Sequence, residues 1–355
     1  MKPISSKSNA TNSGEILSFS DNFVDIGVST DCNKRFRKSM EDAHVVISDY
    51  LGLSGCCYLA VFDGHAGSQS SRACAAHLHV ILANLLKDTT GGGINIQEAL
   101  AKSFEKMDEL LKEMKINHSG STAVVAVCGY VQDGRLCNYK RGLERHLFVA
   151  NVGDSRAVGS VSGTPSSNNR AGIDSQTHAE SCADESSNNA TEINPDAHGN
   201  ASSNEPAHTE NIPEETASVR TVADTQWIAQ RLSYDHKGTD ENEKKRVANA
   251  GGIIMNNRVN GMLAVTRSLG DLFMKEYVVG SPYTTDTTLT PNHHAVILAS
   301  DGLWDVCTDE NAVELVRSAT SNKQNALECS TELLTHAIQE LSADNLTVIV
   351  CLFKH

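Results

Sequence analysis

The feature that most constrains this chain is an apolar strand that ends on an acidic turn. The run Cys57-Tyr58-Leu59-Ala60-Val61-Phe62 is apolar and β-prone, Asp63-Gly64 breaks it, and the helix-compatible stretch SQSSRACAAHLHVILANLLK follows. Asp63 and His65 are therefore expected at a strand's end. A carboxylate there can hold a metal. Gly64 has no side chain, so its carbonyl can approach an ion, and His65 stands two residues from Asp63 as a proton donor. Alone, DG is also an ordinary turn dipeptide, so the weight of this reading depends on what accompanies it.

The same design recurs. AVILASDGLWDV is an apolar strand, then Asp301-Gly302, then Asp305 just before a helix entered through Thr308 and Asp309. SADNLTVIVCLF places Asp344 and Asn345 at the mouth of the last strand, and HLFVANVGDSRAV reads as a hairpin that turns at Gly153-Asp154. Taken alone, Asp154 reads as a turn residue bonding its own backbone. In RFRKSMEDAHVVISDY an extended KSMED would point Arg37 and Glu41 to one face and Asp42 to the other, setting a guanidinium beside a carboxylate. The plain alternative for that segment is a solvent-exposed ion pair.

Helices are signalled by their caps and stripes. Ile96, Leu100, Phe104, Met107, Leu111 and Met114 form one helical stripe, read as core packing, and Asn95 with Glu98 suits a capping box. Asp240 and Glu243 open a helix that stops at Gly251-Gly252. IIMNNRVNGMLAV reads as a hairpin, and QNALECSTELLTHAIQELS as the last helix. Residues 1–20 are polar, rich in Ser and Asn, and read as a flexible tail ahead of one catalytic domain spanning 21–355. Within that domain, residues 160–220 carry two Arg against ten Asp plus Glu and no aromatic residue, a composition expected to remain a disordered acidic insertion.

Composition excludes several functions. The chain has 355 residues, 39% hydrophobic, and a net charge of -14, of which the insertion accounts for -8. That balance argues against a nucleic-acid surface, which needs clustered Lys and Arg. The longest apolar stretches, such as Ala123 to Val127, are strand-sized, and the N-terminus has neither a signal-like apolar run nor a glycine at position 2. A soluble intracellular protein is the expectation. None of the ten cysteines forms a CxxC pair, and Cys56, Cys57, Cys128, Cys307 and Cys351 lie in apolar runs, so buried reduced thiols are expected.

Scattered carboxylates without His/Cys clusters suit hard cations, Mg²⁺ or Mn²⁺, and two such ions about 3.5–4 Å apart can activate a water for attack on phosphorus. Spacing alone does not bring Asp63, Asp301 and Asp344 together. The stretches RFRKSMEDAH, VFDGHAG, SGSTAV, ANVGDSRAV, YDHK, VNGMLAVTRSLGD, SDGLWDV and DNLTVIV resemble, in this order, the metal-dependent protein phosphatases of the 2C family, over residues 21–159 and 221–353. The resemblance implies an α+β fold, a four-layer α-β-β-α sandwich of two antiparallel sheets flanked by helices. It implies a serine/threonine phosphatase with two Mg²⁺ or Mn²⁺ ions and a third, weaker one. Asp63 would bridge both ions, Asp301 and Asp344 would complete one, and Glu41 with the Gly64 carbonyl would serve the other. Asp42 would orient these groups, Arg37 would hold the substrate phosphate, and His65 would protonate the leaving oxygen. Asp154 and Asp305 match the third site.

Similarity is greatest to fungal members acting on stress MAP-kinase cascades, which implies phosphorylated MAP kinases or their upstream components as substrates and a role in damping kinase signalling. A monomer in the cytoplasm, with the nucleus as a second compartment, and no nucleic-acid or membrane partner complete the expectation. A pseudophosphatase adaptor would have lost a ligand or the arginine, and a two-metal nuclease wants a basic groove; neither matches.

Overall fold

The structure, a computed structural model, describes residues 16–87, 95–163 and 226–355, all within one compact unit. In chain order its strands are β1 (Ile16–Ser20), β2 (Val24–Asp31), β3 (Ala43–Ile47), β4 (Cys57–Phe62), β5 (Gly64–His65), β6 (Gly120–Ser121), β7 (Ala123–Gln132), β8 (Arg135–Cys137) and β9 (Glu144–Val152). There follow β10 (Arg156–Ser162), β11 (Trp227–Arg231), β12 (Ile254–Met255), β13 (Arg258–Val259), β14 (Leu269–Gly270), β15 (Tyr283–Leu289), β16 (His293–Ala299) and β17 (Leu346–Phe353). The helices are α1 (Gln69–Lys87), α2 (Ile96–Glu113), α3 (Glu241–Asn249), α4 (Asp301–Trp304), α5 (Asp309–Ser321) and α6 (Ala326–Gln339).

Two antiparallel sheets form the centre. One has the order β1-β2-β17-β16-β10-β11, the other β15-β9-β7-β4-β3 with β8 added to β7. The inner strands β4, β7, β16 and β17 are largely apolar because both of their faces are buried, whereas the edge strand β15 is rich in threonine and partly exposed. On β4, Cys57, Leu59 and Val61 face the opposite sheet, that of β2, β17 and β16, while Tyr58, Ala60 and Phe62 pack under α1 and α2. β17 alternates likewise, with Ile349, Cys351 and Phe353 between the sheets and Val348 and Val350 under α5 and α6. The period-two alternation thus divides one apolar run between two cores, which makes the expected four-layer α-β-β-α sandwich.

Local signals behave as their chemistry dictates. Asn95 and Thr308 accept from the backbone N–H groups of Glu98 and Asn311, and although no return bond from the Glu98 side chain closes the box expected on α2, Asn325 with Glu328 completes one on α6. The β12–β13 hairpin turns on Asn256 and Asn257, both at positive φ, as a two-residue turn requires. Five named cysteines, Cys56, Cys57, Cys128, Cys307 and Cys351, are buried free thiols.

Four further expectations need correction. Residues 16–20, read as tail, form β1 on the edge of the first sheet, with Leu17 and Phe19 packed on the inter-sheet core; a short alternating run gains stability only from its partner strand. β9 and β10 are no hairpin. β9 pairs with β7 and β15, whereas β10 pairs with β11 and β16, so the chain crosses from one sheet to the other at Gly153-Asp154; a turn signal does not specify whether its flanking strands pair. Glu243 does not close a capping box, because arginine side chains capture its carboxylate. Finally, Ser160 to Ser162 belong to β10, whose Ser162 lies opposite Trp227 of β11; the rest of the expected insertion, from 164 on, lies outside the described residues, as do residues 1–15 of the expected tail.

Candidate active site

Asp63 follows β4, Asp301 follows β16 and opens α4, Asp344 precedes β17, and Asp154 lies in the crossing from β9 to β10. β16 and β17 are antiparallel partners with Ala299 opposite Val348, which brings Asp301 and Asp344 to the same end of their sheet. The other sheet delivers Asp63 to that end. Its turn is held by Thr122, whose N–H donates to the Asp63 carbonyl at 2.9 Å and whose Oγ1 accepts from the Asp63 N–H at 3.2 Å. Thr122 Oγ1 also bonds Ser155 Oγ at 2.6 Å, tying the Asp63 turn to the segment carrying Asp154.

The result is a knot of negative charge. Burial, then the charges of Asp42, Asp301, Asp154 and Asp344, push the Asp63 carboxyl well above the usual carboxylate range. Burial and then Asp154, Asp344 and Asp305 raise Asp301 to about 8. Asp42 is raised to about 6 by burial, although Thr347 Oγ1 and Ser300 Oγ each donate to its Oδ2 at 2.8 Å. Such an assembly needs shared protons or a cation to offset its repulsion.

The loop bearing Arg37 and Glu41 is bent, not extended. Asn345 pulls it over the mouth of β17: its Nδ2 donates to the carbonyls of Cys32 at 2.9 Å and Ser39 at 3.0 Å, and its Oδ1 accepts the Glu41 N–H at 2.8 Å. Arg37 therefore meets Asp344, not Glu41, and its Nε donates to the Ala343 carbonyl at 3.3 Å. Glu41 accepts from the Gly67 N–H at 3.1 Å and from Ser39 Oγ at 3.2 Å. Glu41 and Gly64 are adjacent through their backbones, since a Cβ on Gly64 would lie 2.5 Å from the Glu41 carbonyl oxygen. The pair Asp154 and Asp305 is bridged by the ammonium of Lys237, 3.4 Å from each carboxylate.

Among the described residues no group of three or more His, Cys, Asp or Glu side chains is drawn tightly enough to hold an ion as it stands. The donor set nevertheless fits a hard cation. It is made of carboxylate and carbonyl oxygens, and Asp301 Oδ1 is buried without any hydrogen-bond partner, as is Asp42 Oδ1.

The profile of the family described as protein phosphatase 2C matches residues 26–187 and 220–346, most of the chain. The chain belongs to the protein phosphatase 2C family. It is similar to protein phosphatase 2C homolog 1 of Saccharomyces cerevisiae, with 34% identity over 96% of this chain and 99% of the relative. It is also similar to protein phosphatase 2C homolog 1 of Schizosaccharomyces pombe, with 32% identity over 91% of this chain and 72% of the relative. The fold is shared with a serine-threonine phosphatase 2C from Toxoplasma gondii, with a TM-score of 0.62, 19% identity and coverage of 96% of this chain and 100% of the other. This phosphatase is thus a protein serine/threonine phosphatase of a metal-dependent family, acting on phosphorylated proteins, and the fungal affinity expected from its motifs holds.

In this phosphatase 2C, residues that local sequence reasoning had left without a role carry much of the organisation. Lys237 from YDHK neutralises the Asp154–Asp305 pair, and Asp271 from VNGMLAVTRSLGD accepts from His65 Nε2 at 2.7 Å. Their only signal in the sequence is membership of a recurring motif.

Proposed function

We propose that this phosphatase hydrolyses phosphoserine and phosphothreonine at a dinuclear Mg²⁺ or Mn²⁺ centre, with Asp63 shared between the ions, Asp301 and Asp344 on one, and Glu41 with the Gly64 carbonyl on the other. The observation that carries this reading is the buried, partnerless Asp301 Oδ1 beside a carboxyl group, Asp63, whose repulsion by its neighbours favours bound cations. When bound, the ions supply positive charge to the phosphate oxygens and acidify water. The protein's own groups do the rest. Asp42, held by Ser300 and Thr347, orients the carboxylates. Arg37 sits exposed at the mouth, where its planar fork suits a phosphate dianion. His65, partly exposed two residues from Asp63, donates a proton to the departing serine or threonine oxygen.

Asp154 and Asp305 would take a third ion only by displacing Lys237, which accords with a weaker site. We place its substrates among components of stress-activated MAP-kinase cascades in the cytoplasm and nucleus, a reading supported by the resemblance to fungal phosphatases. Release of phosphate from a phosphothreonine peptide with Mn²⁺, and none with EDTA, is the expected result. Undiminished turnover in EDTA would overturn the metal-centred reading.

A further inference from the structure

His65, Gly120 and Asp271 come from three separate stretches and meet in a small sheet of order β14-β6-β5. His65 lies opposite Gly120, and Gly120 lies opposite Gly270. Asp271 is 1% exposed, and its Oδ2 receives two hydrogen bonds, from His65 Nε2 at 2.7 Å and from Ser268 Oγ at 2.5 Å. A buried carboxylate needs such partners. The residue also holds a left-handed backbone, φ 49, which non-glycine residues adopt only at a cost, and its N–H donates to the Ser119 carbonyl at 3.2 Å.

The turn that presents Asp271 is clamped from below. Lys275 Nζ donates to the carbonyls of Ser268 at 2.8 Å and Gly270 at 2.9 Å and pairs with Asp108 at 2.7 Å, while Asp108 accepts the Gly270 N–H at 2.8 Å. The Asp271 carboxylate is therefore fixed in place, and the imidazole comes to it. Gly120 supplies the room. A Cβ at position 120 would lie 2.0 Å from Asp271 Oδ2 and 2.3 Å from His65 Nε2, inside the very contact the two side chains make.

We propose that Asp271 is a positioning residue for His65, that Gly120 keeps open the space their hydrogen bond occupies, and that this contact sets the imidazole for proton delivery to the leaving oxygen. The inference rests on the reading of His65 as the proton donor. With Nε2 engaged by Asp271, Nδ1 is the nitrogen left to face the departing oxygen. General acids work through geometry first, and a displacement of about 1 Å can cost about 10²-fold in rate. A methyl group at 120 forces at least such a displacement, because ordinary contacts to a Cβ begin at 3.4 Å.

The test compares kcat and KM for a phosphothreonine peptide and for p-nitrophenyl phosphate, whose leaving group needs little protonation, at saturating Mn²⁺. Asp271→Gly removes the acceptor and suits the left-handed backbone. It and Gly120→Ala are expected to lower kcat on the peptide by about 10- to 100-fold with KM little changed, and to cost only a few-fold on the aryl ester. Asp271→Asn, which keeps an acceptor oxygen, should restore most of the lost turnover. In a His65→Ala background, Asp271→Gly should cost nothing further on the peptide. Equal losses on both substrates, or an undiminished further loss in the His65→Ala background, would show that Asp271 only supports the fold and would overturn the proposal. Equal losses on both substrates for His65→Ala itself would instead remove the proton-donor reading on which it rests. Melting curves identify any variant that fails to fold, and if Gly120→Ala does so, Asp271→Gly and its rescue by Asp271→Asn decide the matter.

Discussion

Glu243, on the first turn of α3, is 2% exposed, yet it remains charged because two arginines surround it. Its Oε1 accepts from Arg267 Nε at 3.1 Å and Nη2 at 2.6 Å, and its Oε2 from Arg246 Nε at 3.0 Å and Thr266 Oγ1 at 2.8 Å. The arginines continue outward to the carbonyls of Tyr277, Thr266 and Ser281, so one carboxylate ties α3 to the segments after it. Burial would raise its pKa, but the hydrogen bonds and charge of Arg267, then of Arg246, hold it at about 2 against an ordinary 4.5.

At about 1.4 kcal/mol per pKa unit, that depression is worth about 3 kcal/mol of folding free energy at neutral pH. Because the folded pKa lies below the unfolded one, the contribution is complete above pH 4.5 and declines as pH falls from there toward 2. Glu243→Gln should therefore cost about 3–5 kcal/mol at pH 7, since it leaves two largely buried guanidinium groups without a counter-charge. Urea unfolding of both proteins measures the gap, which should shrink by about 2 kcal/mol between pH 7 and pH 3. A gap below about 1 kcal/mol at pH 7, or one that stays constant down to pH 3, would refute this account.

Asp301→Asn is expected to reduce Mn²⁺-dependent peptide turnover by more than about 10²-fold and, by relieving carboxylate repulsion, to raise the melting temperature of the metal-free protein; turnover and melting with EDTA check both. Phe104→Ala on α2, at a fully buried site under the sheet of β4 and β7, should lower stability by about 3–5 kcal/mol in urea titrations and leave the Mn²⁺ requirement unchanged. Replacing residues 164–225 by a short Gly/Ser link should preserve peptide hydrolysis and slightly raise the melting temperature, because Ser162 already pairs with Trp227 and each halving of a loop saves only about 0.6 kcal/mol. Loss of peptide hydrolysis would make that segment part of the catalytic architecture.

Much of this protein is legible in short stretches of sequence. Apolar runs broken by DG or DN mark strand ends, caps such as Asn95 and Thr308 mark helix starts, and the stretch IIMNNRVNGMLAV marks the β12–β13 hairpin, because each signal acts over a few residues. Even the two-sided burial of β4 follows from an unbroken apolar run. What the sequence could not order by itself is which ends meet. Arg37 reaches Asp344 across 307 positions and His65 reaches Asp271 across 206, and the local pattern around Arg37 pointed to Glu41 instead. The turn at Gly153-Asp154 has a hairpin's composition, yet only the packing of two sheets decides that β9 and β10 part company there. Glu243 has a capping residue's spacing, and only the arrival of Arg267 diverts it. The physical reason is one of range: propensity, periodicity and capping are settled by neighbours along the chain, whereas the charge around Asp63 is the sum of carboxylates that only the closed sandwich brings to one point.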